Sequence, residues 1–193
     1  MAKTHSDASK KERSRTIRWV VTVFLVTLVV SGIISLISDE IMARSGLLAA
    51  FAILLGIIFI GIVFDIIGMA VATASEKPFH SMAARKVPGA QEAIRLLRNA
   101  ERVSSICNDV VGDICGVISG SASATIAALI LTHVDAVWPR VVSLTMSALA
   151  AGLTVGGKAI GKTVAVNSCT QIVHLVGRFL HMLNCLKKKK SLR

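Results

Sequence analysis

The feature that most constrains this chain is a set of apolar runs too long and too poor in charge for a water-facing helix. Residues 47–74 read LLAAFAILLGIIFIGIVFDIIGMAVATA, with Asp65 as their only charge. About 20 such residues make a helix of roughly 30 Å, the thickness of a hydrocarbon core. A similar run, IRWVVTVFLVTLVVSGIISLIS, opens at Ile17 behind a basic segment, with Trp19 where an interfacial aromatic anchor belongs. It is longer than the roughly 7 to 15 residues of a signal-peptide core and no small-residue cleavage site follows, so it predicts a retained helix. Two further runs, near 103–131 and 141–160, carry more Ser, Gly and Ala, which favours close helix packing in a membrane.

These runs predict an all-α membrane protein of four transmembrane helices, at about 17–38, 47–73, 103–131 and 141–160. The bundle covers 19–164, after a basic solvated tail at 1–18. Between the second and third spans, 75–102 is too polar to cross, and Pro88-Gly89 divides it into two amphipathic stretches, predicting a cytoplasmic helical hairpin. Their apolar faces carry Phe79, Met82 and Ala83, then Ala93, Ile94, Leu96 and Leu97. Residues 165–193 read as an amphipathic helix lying in the interface, followed by a basic tail with Lys187 to Lys190 on an anionic inner leaflet.

Charge sets the orientation. The formal net charge is +11, and all Lys and Arg except Arg44 and Arg140 fall within 1–18, 75–102 and 156–193. That asymmetry predicts both termini and the hairpin in the cytoplasm, and the links near 38–46 and 132–140 outside, in a plasma membrane. Basic residues flanking apolar blocks, without interleaved aromatic or polar readers, argue against a nucleic-acid partner. Cys107, Cys115, Cys169 and Cys185 lack CxxC or zinc-finger spacing and are expected as free thiols. The Ser and Thr residues show no nucleophile with a base and orienter, so no enzyme is predicted. His80, His174 and His181 read as interfacial polar residues, with no acid or Cys expected on their face.

Chemistry, if the bundle has any, is expected at its acids. A carboxylate near mid-bilayer costs at least about 2.5 to 3.5 kcal/mol on insertion scales. Asp109 and Asp113, four residues apart, share a helix face with Ser105, and such carboxylates repel unless a cation or proton intervenes. Mg²⁺ and related hard divalent cations prefer oxygen ligands, which makes Asp113, Asp109, Asn108, Ser105 and Asp65 candidate metal ligands. Gly112, Gly116 and Gly120 offer a small-residue flank for another backbone. The competing reading is a non-transporting scaffold or partner subunit whose acids pair with Lys158, Lys162 or Arg102.

From Phe64 to about Lys162, the order FDIIGMAVAT, basic hairpin, LLRNAERVSS, SSICNDVVGDICG and TVGGKAIGK resembles the transmembrane domain of the CNNM/CorB/CorC magnesium-transport family. The resemblance implies a transported or bound Mg²⁺ held by Ser, Asn, acidic and backbone oxygens, pointing by position to Ser105 and Asn108, with Thr154 a further candidate ligand, and it implies a homodimer. Gly68 and Thr154 stand where the family carries acids, the family's cytoplasmic CBS pair is missing, and the first helix lies outside the shared module.

Overall fold

The structure, a computed structural model, describes residues 2–44, 46–133 and 139–190. Among these, every regular element is helical: α1 (Ala2–Arg44), α2 (Leu47–Thr73), α3 (Lys77–Ala84), α4 (Ala90–Arg98), α5 (Ala100–Ser105), a π-helical segment (Ile106–Gly112), α6 (Asp113–His133), α7 (Pro139–Asn167) and α8 (Cys169–Lys190). Four stretches are long and apolar enough to cross a membrane: Ile17–Met42, Leu47–Thr73, Ala100–Thr132 and Pro139–Asn167. Most of the link near 132–140, expected outside, falls in 134–138, which lie outside the described residues, as do the side chains of Lys187 to Lys190.

Element boundaries differ from the sequence reading where no helix breaker is present. Segment 1–18, expected as a tail, is helical from Ala2 and continuous with the span, because no Gly or Pro interrupts the chain before Gly32. Helix α7 runs on through Gly156, Gly157 and Gly161 to Asn167, where close packing of Gly157 and Gly161 on Ile62 and Ile66 of α2 outweighs glycine's low helix propensity. The third span is not one α-helix: Ile106–Gly112 winds as a π-helix between α5 and α6. Such wide turns inside an α-helix displace side chains from α register and are frequent at functional sites.

Helices α2, α6 and α7 pack against one another, and α1 leans on α6 while barely meeting α2. No residue in α1's most apolar window is buried. Leu48, Leu144 and Ile160 are 87%, 72% and 71% exposed, an apolar surface that water would disfavour and that lipid tails solvate. Two apolar clusters hold the fold. One, toward the α1–α2 link, gathers Met42, Ala50, Leu54, Ile58, Ala122, Ile126 and Met146. The other, at the end carrying the basic segments, joins Ala70 and Val71 of α2 to Phe79, Ala93, Leu97, Ala165 and Val173. It joins α3, α4 and α8 to α2 and α7, burying Phe79, Ala93 and Leu97 of the named apolar residues.

Of the expected glycine flank, Gly112 alone is closely approached, by Lys158 Nζ. A Cβ added to Gly116 or Gly120 would meet open space, whereas at Gly61 it would lie 2.9 Å from the Cys115 Cβ, and at Gly161 2.8 Å from Ile66. Tight packing therefore involves α2 against α6 and α7.

The α3–α4 turn is built on two left-handed residues. The Val87 N–H donates to the Met82 carbonyl and the Lys86 N–H to that of Ala83, with Lys86 at φ 56°. This is the Schellman closure of a helix end, with lysine at the position glycine usually holds. Lys86→Gly is expected to raise stability by up to about 1 kcal/mol in detergent unfolding, because the left-handed conformation penalises a Cβ. A clear loss of stability would show that the lysine side chain has a role of its own.

Candidate functional site

Asp65 and Lys158 enter the bundle from different helices at the same depth. Asp65 lies 18 residues beyond Leu47 and Lys158 19 beyond Pro139, each about 27 to 29 Å along its helix. Asp65 is buried, 6% exposed, and its Oδ1 stands 3.7 Å from Lys158 Nζ. Its Oδ2 is buried without a hydrogen-bond partner.

The π-helical segment supplies the other wall. Asn108 donates from Nδ2 to Ser104 Oγ at 3.3 Å, while its Oδ1 is buried and unpartnered. That amide sits against Gly68, where any Cβ would collide with it. The absence of an acid at position 68, read from the sequence as a departure, thus makes room for Asn108. At Gly112 a Cβ would meet Lys158 Nζ at 3.2 Å, the Cys107 carbonyl oxygen at 3.5 Å and Asp65 Oδ1 at 3.9 Å. One amine, one carboxylate and one backbone carbonyl thus converge around a residue that has no side chain.

The other candidates fall elsewhere. Ser105 Oγ donates to Asp109 Oδ2 at 2.8 Å, so these two share a face as read, but Asp109 is exposed. The pair opens on a shallow groove beside Trp19, Phe24, Thr27 and Ser31 of α1, where the Arg102 guanidinium lies 5.8 Å from the Trp19 ring centroid. Asp113 is exposed as well. Thr154 donates its hydroxyl to the Ala150 carbonyl at 2.8 Å and lines a cavity of about 170 Å³ with Ser119, Ser123 and Ser147. The structure therefore places Asp65 beside Lys158 and Gly112, and Asn108 against Gly68 one turn further along α2, and does not show Asp109, Asp113 or Thr154 joining them. Among the described residues no group of three or more His, Cys, Asp or Glu is placed to hold a metal ion.

Ser104 and the Cys107 carbonyl were missed by sequence reasoning, whereas Lys158 was expected as a partner for the acids of the bundle and stands beside Asp65. Ser104 is masked by its neighbour Ser105, and only backbone geometry reveals the π-helical segment.

The histidines correct another expectation. His80 Nε2 stands 3.2 Å from Glu76, and His181 Nδ1 stands 3.1 Å from Glu92, so both have acids within reach. Glu92 is nearly buried. Burial raises its pKa, but the His181 hydrogen bond, its own backbone, and the charges of His181 and Arg95 together hold it below the usual carboxylate value. No family model, curated protein or solved structure matches the chain.

Proposed function

We propose that this chain is a CorB-like membrane protein that binds Mg²⁺ or a related divalent cation at Asp65 and Asn108 and moves it across the bilayer. The carrying observation is the pair of buried oxygens, Asp65 Oδ2 and Asn108 Oδ1, that no protein group satisfies. Buried acceptors without donors are costly, and hard divalent cations and their water shells are natural partners for carboxylate, amide and carbonyl oxygens. The π-helical segment and the resemblance between Phe64 and Lys162 support the same centre. In this reading the termini, α3, α4 and α8 face the cytoplasm, because the basic residues cluster there.

Lys158 acts as the resident counter-ion. Paired with Asp65 it leaves the centre neutral, so an arriving dication has to displace it. Its four-carbon stem and 22% side-chain exposure allow the ammonium to swing outward. The charge thus passes from one cation to another without leaving Asp65 bare.

A second reading, the non-transporting scaffold, is favoured by the ion pair itself, since Asp65 and Lys158 neutralise each other without a metal. Mg²⁺-dye flux in proteoliposomes separates the two. The wild type is expected to carry Mg²⁺, Asp65→Asn to lose at least tenfold in rate, and Asp113→Ala to carry it normally. A folded wild-type protein with no flux would favour the scaffold. Unchanged flux in Asp65→Asn would remove the site.

A further inference from the structure

A second set of chemically coupled side chains lies away from the polar centre, where α8 docks on α4. His181 Nε2 stands 3.7 Å from the Cys185 sulfur, and its Nδ1 stands 3.1 Å from Glu92 Oε1. Cys185 is exposed, His181 partly so, and Glu92 nearly buried. The thiol and the carboxylate use opposite nitrogens of one imidazole, which makes a relay rather than a chelate. This is the order of nucleophile, base and orienting acid that activates a cysteine.

Beside it runs a groove of about 1000 Å³ between α8 and the bundle, lined by His181 itself and by Phe64, Leu96, Leu175, Phe179 and Met182. That volume is at the top of the range for ligand pockets, and the lining suits a long hydrocarbon chain. Arg178 also lines it, and Lys187 to Lys190 follow Cys185 in sequence. Their positive charge complements an anionic acyl carrier.

We propose that Cys185 is an S-acylation site, activated by His181 and positioned by Glu92, and loaded from a long-chain acyl thioester such as an acyl-coenzyme A whose chain enters the groove. In the tautomer that donates Nδ1–H to Glu92, Nε2 takes the proton from the Cys185 thiol. The thiolate adds to the acyl carbonyl carbon, and the tetrahedral adduct collapses with cleavage of the donor's C–S bond. The departing thiolate recovers the proton from His181. One thioester is exchanged for another, with no change of oxidation state. A juxtamembrane cysteine beside a basic run is the setting in which an acyl chain and lysines together fix a segment to a membrane.

The test is full-length protein in detergent incubated with an alkyne-tagged palmitoyl-coenzyme A, following hydroxylamine-labile label. Wild type is expected to label at a single cysteine, Cys185→Ser to lose the label, and Cys107→Ser, which removes the thiol lining the groove, to keep it. His181→Ala is expected to slow labelling on the order of 100-fold, at the low end of general-base contributions. Glu92→Gln, which keeps an acceptor for Nδ1–H, is expected to fall less. Circular dichroism and elution volume check that each variant is folded, and His181→Gln, which keeps a polar side chain, stands in should His181→Ala unfold. Label that survives Cys185→Ser, or equal rates in wild type and the folded His181 variant, would overturn the proposal. An acetyl donor reacting as fast as the palmitoyl donor would remove the groove from it.

Discussion

Lys158→Met is expected to destabilise the protein by about 3 to 5 kcal/mol, the usual cost of stranding one member of a buried ion pair. Asp65 is 6% exposed and its second oxygen already lacks a partner, so the variant leaves a buried carboxylate with no cation beside it. A bare buried charge must distort the packing around Gly112 to reach a new donor, which costs free energy. The double variant Asp65→Leu/Lys158→Met removes both charges and replaces them with apolar groups, and is expected to unfold close to wild type. Denaturation in detergent measures both. A Lys158→Met protein as stable as wild type would mean that Asp65 does not depend on this lysine.

The second large effect is expected at Gly89. Its φ is +88°, and an added Cβ would lie 2.5 Å from the Arg178 amide nitrogen and 2.7 Å from the Arg178 Cα. Both obstacles are backbone, so no side chain can swing aside. Gly177 approaches from the other partner, where a Cβ would stand 2.5 Å from the Gly89 carbonyl oxygen. Helix α8 thus docks on the Pro88-Gly89 turn with backbone against backbone. Gly89→Ala is expected to cost roughly 3 kcal/mol, combining the left-handed penalty with overpacking, and to release α8 from α4 while α2, α6 and α7 stay assembled. Limited proteolysis should then cut near the Ser168 turn between α7 and α8, whereas Gly116→Ala, which meets open space, should match wild type. Equal protease resistance in Gly89→Ala would refute this docking.

Much of the fold was legible because bilayer-length apolar runs leave little choice of element. Asp65 was visible for the same reason, as the one charge in 47–74. Within α4, Ala93 and Leu97 stand four residues apart and both are buried, as is Phe79 of α3. The centre itself was not legible. Spacing could place Asp109 on the face of Ser105, but it could not say whether that face turned toward α2 or away. Neither could it show the π-helical segment, or that Gly68 accommodates the Asn108 amide. Which acid Lys158 meets, and the pairing of Glu92 with His181, depend on helix rotation, which apolar runs on all sides leave undefined. The extent of α1 was misread for a local reason, since a polar, basic segment without Gly or Pro remains a good helix former.

The most direct test of a cation site at Asp65 and Asn108 is thermal unfolding of the purified protein against Mg²⁺ concentration. A ligand that binds only the folded state stabilises it by about 2.7 kcal/mol at a hundredfold excess over its Kd. The wild-type transition is expected to rise steadily through millimolar Mg²⁺, and Asp65→Asn to show no rise. A folded wild type whose transition ignores Mg²⁺, or an Asp65→Asn variant that shifts as much as wild type, would contradict the assignment.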